Sequence, residues 1–141
     1  DGRLSLEREE TQQFDILAMD AFSSDAVPIH LLTKEVFETY LRHIKKDGII
    51  AVNITNRHLD LRPVVWAVAD HFRLESIVIR DRGDYRDIYY TGWMLVTRND
   101  AFLRNTAVAN AMHDDNERDD DEQRRTILWT DDYSNLFRII K

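Results

Sequence analysis

The densest group of residues that could do chemistry is the segment Asp20–His30, which reads DAFSSDAVPIH. Its two carboxylates, Asp20 and Asp25, are five positions apart, and acids at this spacing across a loop can converge on one cation. An aliphatic amine is protonated near neutral pH, so an enzyme that alkylates an amine must hold the cation and also accept its proton. Paired aspartates can do both.

The same segment has a structural interpretation that the sequence leaves open. Ser and Asp favour turns and helix caps because their side chains bond nearby backbone groups, so the loop from Asp20 to Asp25 can equally be a capping loop. His30 comes just before a predicted helix, and this position is more typical of packing or capping than of a catalytic base.

A second acidic pair, Asp131 and Asp132, is flanked by Trp129 and Tyr133. Aromatic rings beside carboxylates can hold an amine, with about 0.5–2 kcal/mol from cation–π contact. The sequence favours the alternative that the pair caps a final helix beginning near Ser134.

Four apolar runs predict the strands that must position these residues, and two amphipathic segments predict helices between the first three. The predicted strands are 14–20, 49–54, 76–79 and 92–97. Thr33 caps the first helix, Lys45 and Lys46 lie in its last turn, and Gly48 ends it. Asn56 or Asp60 starts the second. The predicted core faces are Val36, Phe37, Tyr40, Leu41 and Ile44 for the first helix, and Val64, Val65, Val68 and Phe72 for the second.

This alternation predicts an α/β fold with right-handed crossovers. Residues 81–91 are too few for a crossover helix, so the fourth strand is expected to return antiparallel to the third. The predicted fold is the C-terminal half of a Rossmann-like, class I methyltransferase-type sheet, mainly parallel and ending in an antiparallel hairpin. Such sheets bind ligands beyond the carboxyl ends of the strands, where the loop after the first strand lies.

Residues 1–141 are interpreted as one partial domain, with a sheet core over 1–100 and a helix, an acidic loop and a C-terminal segment over 101–141. A helix is predicted from Ala101 to Met112, and the apolar Leu136–Ile140 is expected to dock on the domain. None of the four glycines forms a Gly-rich nucleotide loop, so the first half of such a domain is expected to lie outside these residues. Half a sheet leaves an exposed edge that can pair with another chain.

The composition narrows the function classes. A formal net charge of −7, with dispersed basic residues, argues against nucleic acid. The absence of cysteine excludes disulfides and thiolate chemistry, and it fits a reducing cytosol. No apolar run approaches the roughly 20 residues of a spanning helix. The acidic run 113–122 lacks the regular alternation of a calcium loop, so no metal is expected.

Four segments together resemble the polyamine aminopropyltransferases, the spermidine synthases. They are the first strand with its loop Asp20–Pro28, LLTKEVF at 31–37, KDGIIAV at 46–52, and WTDDYSNL at 129–136. The spacing of the two acids is most similar to a bacterial branch in which the domain follows membrane-spanning, transporter-like segments. The likeness covers most of residues 1–98, and the last motif extends it to the C-terminus.

The resemblance implies a transferase of polyamine biosynthesis. It moves the aminopropyl group of decarboxylated S-adenosylmethionine, a co-substrate, to a polyamine such as putrescine and leaves methylthioadenosine, with no permanently bound cofactor. By position, Asp20 matches the catalytic proton acceptor and Asp25 an acid that holds the diamine. Asp1 and Gly2 match the residues that contact the nucleoside, and Tyr85 lies near a tyrosine that lines the amine pocket.

Two departures from the family pattern leave the amine unidentified. Ala21 and Phe22 lengthen the usual Asp-Ser-Ser-Asp-Pro loop, and Tyr85 is out of register, with Tyr89 and Tyr90 as rivals. Whether the chain is an enzyme therefore stays open. The alternatives are a non-catalytic nucleotide- or polyamine-binding domain of a membrane protein, and an S-adenosylmethionine-dependent methyltransferase.

The resemblance also carries expectations about setting and partners. It implies a cytoplasmic domain, free or tethered to the inner face of a bacterial membrane, that binds a polyamine and a nucleoside. A homo-oligomer is compatible with the exposed sheet edge. These 141 residues alone are expected to show no turnover.

Overall fold

The structure is a computed structural model that describes residues 2–20, 28–81, 91–112 and 126–141. Within these ranges the strands are β1 (Phe14–Met19), β2 (Ile44–Asn53), β3 (Glu75–Asp81) and β4 (Thr91–Thr97). The helices are α1 (Gly2–Arg8), α2 (Lys34–His43), α3 (Arg62–His71), α4 (Asp100–Leu103) and α5 (Thr106–Ala111). Two 3₁₀ turns span Ile29–Leu31 and Leu136–Ile139.

The described strands form one sheet in the order β1-β2-β4-β3. β1 pairs with β2 in parallel, and β4 lies antiparallel between β2 and β3. Three strands therefore share one direction, and β4 opposes them. The predicted α/β fold is confirmed, as is the antiparallel return of the fourth strand.

Burial follows the predicted apolar pattern. Residues 48–52 of β2 form a continuous buried run, as expected for a strand with neighbours on both sides and covered faces. α2 buries Val36, Phe37 and Tyr40, while α3 buries Val64, Val65 and Val68. Both predicted helix faces are thus core faces, with Leu41 and Phe72 partly buried at their margins.

The end of α2 differs from the prediction. The helix ends at His43, and Lys45, Lys46 and Gly48 belong to β2 instead of the last helical turn. Pairing with β1 explains the difference, because Ile44 already pairs with Phe14 and Lys45 Nζ lies 2.6 Å from Asp15 Oδ1 on β1.

Gly48 has a packing role in β2. The β1–β2 register shifts between Phe14 and Ile16, so the opposing stretch of β2 is irregular. A Cβ atom at Gly48 would lie 3.0 Å from both Ile44 Cβ and the Lys45 carbonyl oxygen. Glycine therefore permits a close approach here, where the sequence had suggested a helix stop.

The helix predicted over Ala101–Met112 is two short helices, α4 and α5. Asn99 Oδ1 accepts a hydrogen bond from the Phe102 amide at 2.9 Å, and Asn105 Oδ1 accepts one from the Ala107 amide at 2.9 Å. Each asparagine is an N-cap, so Asn105 starts a new helix where the apolar pattern alone suggested continuation.

The C-terminal segment docks on the domain through Trp129 and Ile139, whereas Leu136, Phe137 and Ile140 of the predicted apolar end are exposed. Trp129 is fully buried, and Ile139 is buried in the main core. The Asp60 amide donates to the Ile139 carbonyl at 2.7 Å, and the Lys141 amide donates to the His58 carbonyl at 3.0 Å. The acidic run 113–122 lies outside the described residues.

β1 forms one edge of the sheet among the described strands. The side chain of Ile16 on this strand is 61% exposed. No helix in the described ranges has the length and apolar character to cross a membrane.

Replacing Trp129 by Ala should lower the free energy of unfolding by about 3–5 kcal/mol, because the indole is fully buried and its removal leaves a cavity. Phe137→Ala is the matched control in the same segment, since that ring is 86% exposed and its loss should cost under about 0.5 kcal/mol. Urea denaturation of both variants measures the difference. Equal losses would show that the C-terminal segment does not dock as described.

Candidate functional site

Asp20 and Asn53 meet at the carboxyl edge of the parallel pair. Asp20 directly follows β1, and Asn53 is the last residue of β2. Because β1 and β2 run parallel, their carboxyl ends lie at the same edge, and Asn53 Nδ2 donates to Asp20 Oδ1 at 2.7 Å. Asp20 is exposed, so its carboxylate is accessible to a ligand.

The orientation of the Asn53 amide is fixed by its other contact. Asn53 Oδ1 accepts a hydrogen bond from the Thr55 backbone amide at 2.8 Å. A backbone N–H can only donate, so the amide oxygen must face Thr55 and the nitrogen must face Asp20.

Thr55 connects this pair to β4. Its hydroxyl oxygen accepts from the Gly92 amide at 2.9 Å, and the Gly92 carbonyl accepts from the Ile54 amide at 2.8 Å. Hydrogen bonds therefore run across the ends of β1 and β2 to the start of β4. This network gives the exposed Asp20 a rigid neighbour.

An open cleft of about 460 Å³ lies beside Asp20, lined by residues of α1, β1 and α2. Its size is within the range of small-molecule sites. The cleft brings together Asp20 and Gly2, two of the site residues predicted from sequence. The other lining residues are largely apolar: Arg3, Ser5, Leu6, Phe14, Leu17, Ala18, Met19, Leu31 and Tyr40.

Tyr40 is a buried part of the cleft wall. Its hydroxyl lies 3.3 Å from both Met19 Sδ and the Leu31 carbonyl oxygen. Burial raises the pKa of Tyr40 well above its usual value, so the phenol stays protonated at neutral pH. Tyr40 is therefore a single hydrogen-bond donor in the cleft wall, and its ring packs in the core.

Arg3 fixes α1, which forms one wall of the cleft. Its guanidinium donates to both carboxylate oxygens of Asp131, with Nη1 and Oδ1 2.8 Å apart. It also donates to the His30 carbonyl at 3.0 Å and to Glu7 at 2.7 Å. Bidentate pairing of this kind is directional, so it sets the position of the helix as well as its attachment.

Asp131 is the centre of this attachment. Thr33 donates its hydroxyl to Asp131 Oδ1 at 2.7 Å, and the Asp131 amide donates to Glu35 Oε2 at 3.0 Å. The hydrogen bond from Arg3 lowers the pKa of Asp131 to about 2. The carboxylate is therefore ionised across the physiological range.

The predicted cap at the Asp131–Asp132 pair was wrong. Asn135 caps the final turn, its Oδ1 accepting from the Phe137 amide at 3.1 Å. The amine-holding alternative does not fit this geometry either, since Asp131 already binds a cation of its own chain and Trp129 is fully buried.

The structure places two of the five predicted site residues, Asp20 and Gly2. Asp1, Asp25 and Tyr85 lie outside the described residues, and their roles stay predictions. In the described ranges no group of three His, Asp or Glu side chains is arranged to hold a metal ion.

Asn53 is the site residue that the sequence reasoning missed. A signal was available, because a polar residue directly follows the buried run of β2 and parallel neighbours end at the same edge. The pairing of Arg3 with Asp131 had no comparable local signal, since the two residues are 128 positions apart.

Replacing Asp131 by Asn should lower the free energy of unfolding by about 1 kcal/mol at neutral pH. The expected loss is small because the Asp131 side chain is 39% exposed, so solvent screens its interaction with Arg3. Asp131 has a depressed pKa in the folded state, so this stabilisation is present above about pH 4 and lost as the pH falls toward about 2.

Urea denaturation from about pH 7 down to about pH 2 measures the effect. Asp132→Asn removes the neighbouring exposed charge and is the control, expected to leave stability nearly unchanged. A difference between wild type and Asp131→Asn that persisted at the acid end would contradict the ion-pair explanation.

No protein-family model matches this chain, and no curated protein matches it. Among solved structures it is similar to a probable spermidine synthase from Corynebacterium glutamicum, with 25% sequence identity and a TM-score of 0.52. The match covers 69% of this chain and 35% of that protein, so the aligned part spans about a third of the length of its neighbour. The likeness supports a distant relationship to the spermidine synthase family.

Proposed function

We propose that this chain forms the amine-handling part of a polyamine aminopropyltransferase. The observation that carries the proposal is the position of Asp20, an accessible carboxylate at the end of the first parallel strand and beside a cleft that Gly2 also lines. The distant likeness to a probable spermidine synthase supports the same chemistry.

In the proposed reaction Asp20 acts on the terminal ammonium of a diamine such as putrescine. An aliphatic ammonium has no free electron pair, so it must lose a proton before it can attack carbon. The carboxylate of Asp20 attracts the cation, accepts that proton and passes it to water. A charged acceptor at the mouth of an apolar cleft is suited to both steps.

The amine nitrogen then attacks the aminopropyl methylene carbon that is bonded to the sulfonium of decarboxylated S-adenosylmethionine. A carbon–nitrogen bond forms as the carbon–sulfur bond breaks, and the bonding electrons move to sulfur. The products are the extended polyamine and methylthioadenosine, with one proton released overall. Because the sulfonium is a good leaving group, positioning supplies most of the catalysis.

The cleft beside Asp20 is proposed to hold the nucleoside. Its walls are largely apolar, and a Cβ atom added at Gly2 would meet no atom within 4 Å, so open space adjoins that backbone. Asp1 is proposed to contact the adenine, Asp25 to hold the far end of the diamine, and Tyr85 to line the amine pocket.

The proposal includes no permanently bound cofactor. It places the reaction on the cytoplasmic side, in a free protein or one tethered to the inner face of a bacterial membrane. The partners are a polyamine and a nucleoside, and the amine itself is left to experiment because the loop after β1 is longer than the family pattern.

Asp20→Asn should lower kcat by about 10²–10⁴-fold, since it removes the proton acceptor and one of the charges proposed to attract the amine. The substitution should weaken putrescine binding and leave methylthioadenosine binding within about twofold, because the nucleoside contacts the apolar walls. The measurement is turnover and calorimetric binding in the full-length natural protein that contains these residues.

Asp15→Asn is the matched control, because Asp15 is an exposed acid near the opposite end of β1 that pairs with Lys45. Formation of S-adenosylhomocysteine from supplied S-adenosylmethionine, without methylthioadenosine from the decarboxylated co-substrate, would indicate methyl transfer. Binding of both ligands without turnover would indicate a non-catalytic binding domain. Failure of the wild-type protein to bind either ligand would indicate that it shares only its fold with the spermidine synthases.

A further inference from the structure

We propose that Asn53 is a positioning residue for Asp20, an inference that rests on the proposed function. Asn53 holds Oδ1 of the Asp20 carboxylate at 2.7 Å. Because Oδ1 already accepts this bond, Oδ2 is the oxygen to which the proposal assigns the proton of the amine.

Asn53 has the rigidity that this role requires. Its backbone is fixed by pairing with Trp93 on β4, and its side chain is bonded at both ends, to Thr55 and to Asp20. Asp20 lies just beyond the end of β1, where the ladder no longer holds its backbone. The bond from Asn53 therefore sets the rotation of the carboxylate, and small errors in the placement of a reacting group cost large factors in rate.

The neutral charge of Asn53 is as important as its position. A lysine or arginine at the end of β2 could also donate to Asp20, but it would cancel the negative charge that attracts the ammonium of the substrate. An acid there would repel Asp20. A neutral amide orients the carboxylate and leaves its charge available, so the pair fits a cationic substrate specifically.

A purely structural role for Asn53 has to be separated from positioning, because its Oδ1 also accepts from the Thr55 amide. Asn53→Asp separates them. Aspartate has the same shape and keeps an acceptor for Thr55, but it replaces the neutral amide donor by a second acid. Asp20 then meets a like charge or shares a proton with its neighbour, which should lower stability and leave its carboxylate unable to accept the proton of the amine.

The experiment measures kcat, KM and thermal unfolding in the full-length natural protein that contains these residues. Asn53→Asp should lower kcat about tenfold or more and leave KM for the nucleoside co-substrate nearly unchanged. The swapped double variant Asp20→Asn/Asn53→Asp restores a hydrogen bond with its direction reversed. It should recover the stability lost in Asn53→Asp without recovering kcat, since residue 20 can no longer accept a proton.

Asn56→Asp is the matched control. Asn56 lies three residues further on, and its Oδ1 accepts from the His58 and Leu59 amides at 2.9 and 2.8 Å, bonds that aspartate can keep. The same chemical change at that position should leave kcat within about twofold.

The outcomes distinguish this inference from the proposed function. A wild-type enzyme that turns over, with Asn53→Asp equally active, would overturn the positioning role alone. A loss of kcat that merely follows a loss of folded protein would also overturn it. No turnover by wild type would contradict the proposed function. The hydrogen bonds of Asn53 would then only stabilise the end of the strand.

Discussion

Parallel pairing of β1 with β2 is the constraint on which the site depends. Met19 pairs with Val52, so the residues that follow each, Asp20 and Asn53, emerge side by side. The pairing holds because β2 is buried between β1 and β4 over an unbroken run of apolar residues. A slip of one residue would turn each side chain of β1 to the other face and separate the pair.

Four described aspartates differ in the charge of their partners. Asp15, Asp60 and Asp131 form ion pairs with Lys45, Arg62 and Arg3, respectively, at the surface and in the cleft wall. Asp20 instead meets a neutral amide. Among the residues that the structure describes, no cation of the same chain pairs with Asp20, and a carboxylate in that setting can attract a cation from solution, which is the electrostatic basis of the proposed amine site.

Local patterns in the sequence predicted most of the fold and only part of the site. Period and apolar content located the strands and both helix faces, and the position of Asp20 followed from the strand that it ends. The helix start at Asn105 was not predicted, because one side chain that caps a helix can outweigh a continuous apolar pattern. The pairing of Asp131 with Arg3 was not predicted, because only the tertiary structure brings the two residues together.

That separation of Arg3 and Asp131 has a consequence for the order in which the molecule is assembled. During synthesis α1 is made first, and the acid that fixes it follows 128 residues later. Closing so large a loop is entropically costly until the intervening sheet has brought the ends together. The cleft wall is therefore completed only after the sheet has formed and the segment that carries Asp131 has docked.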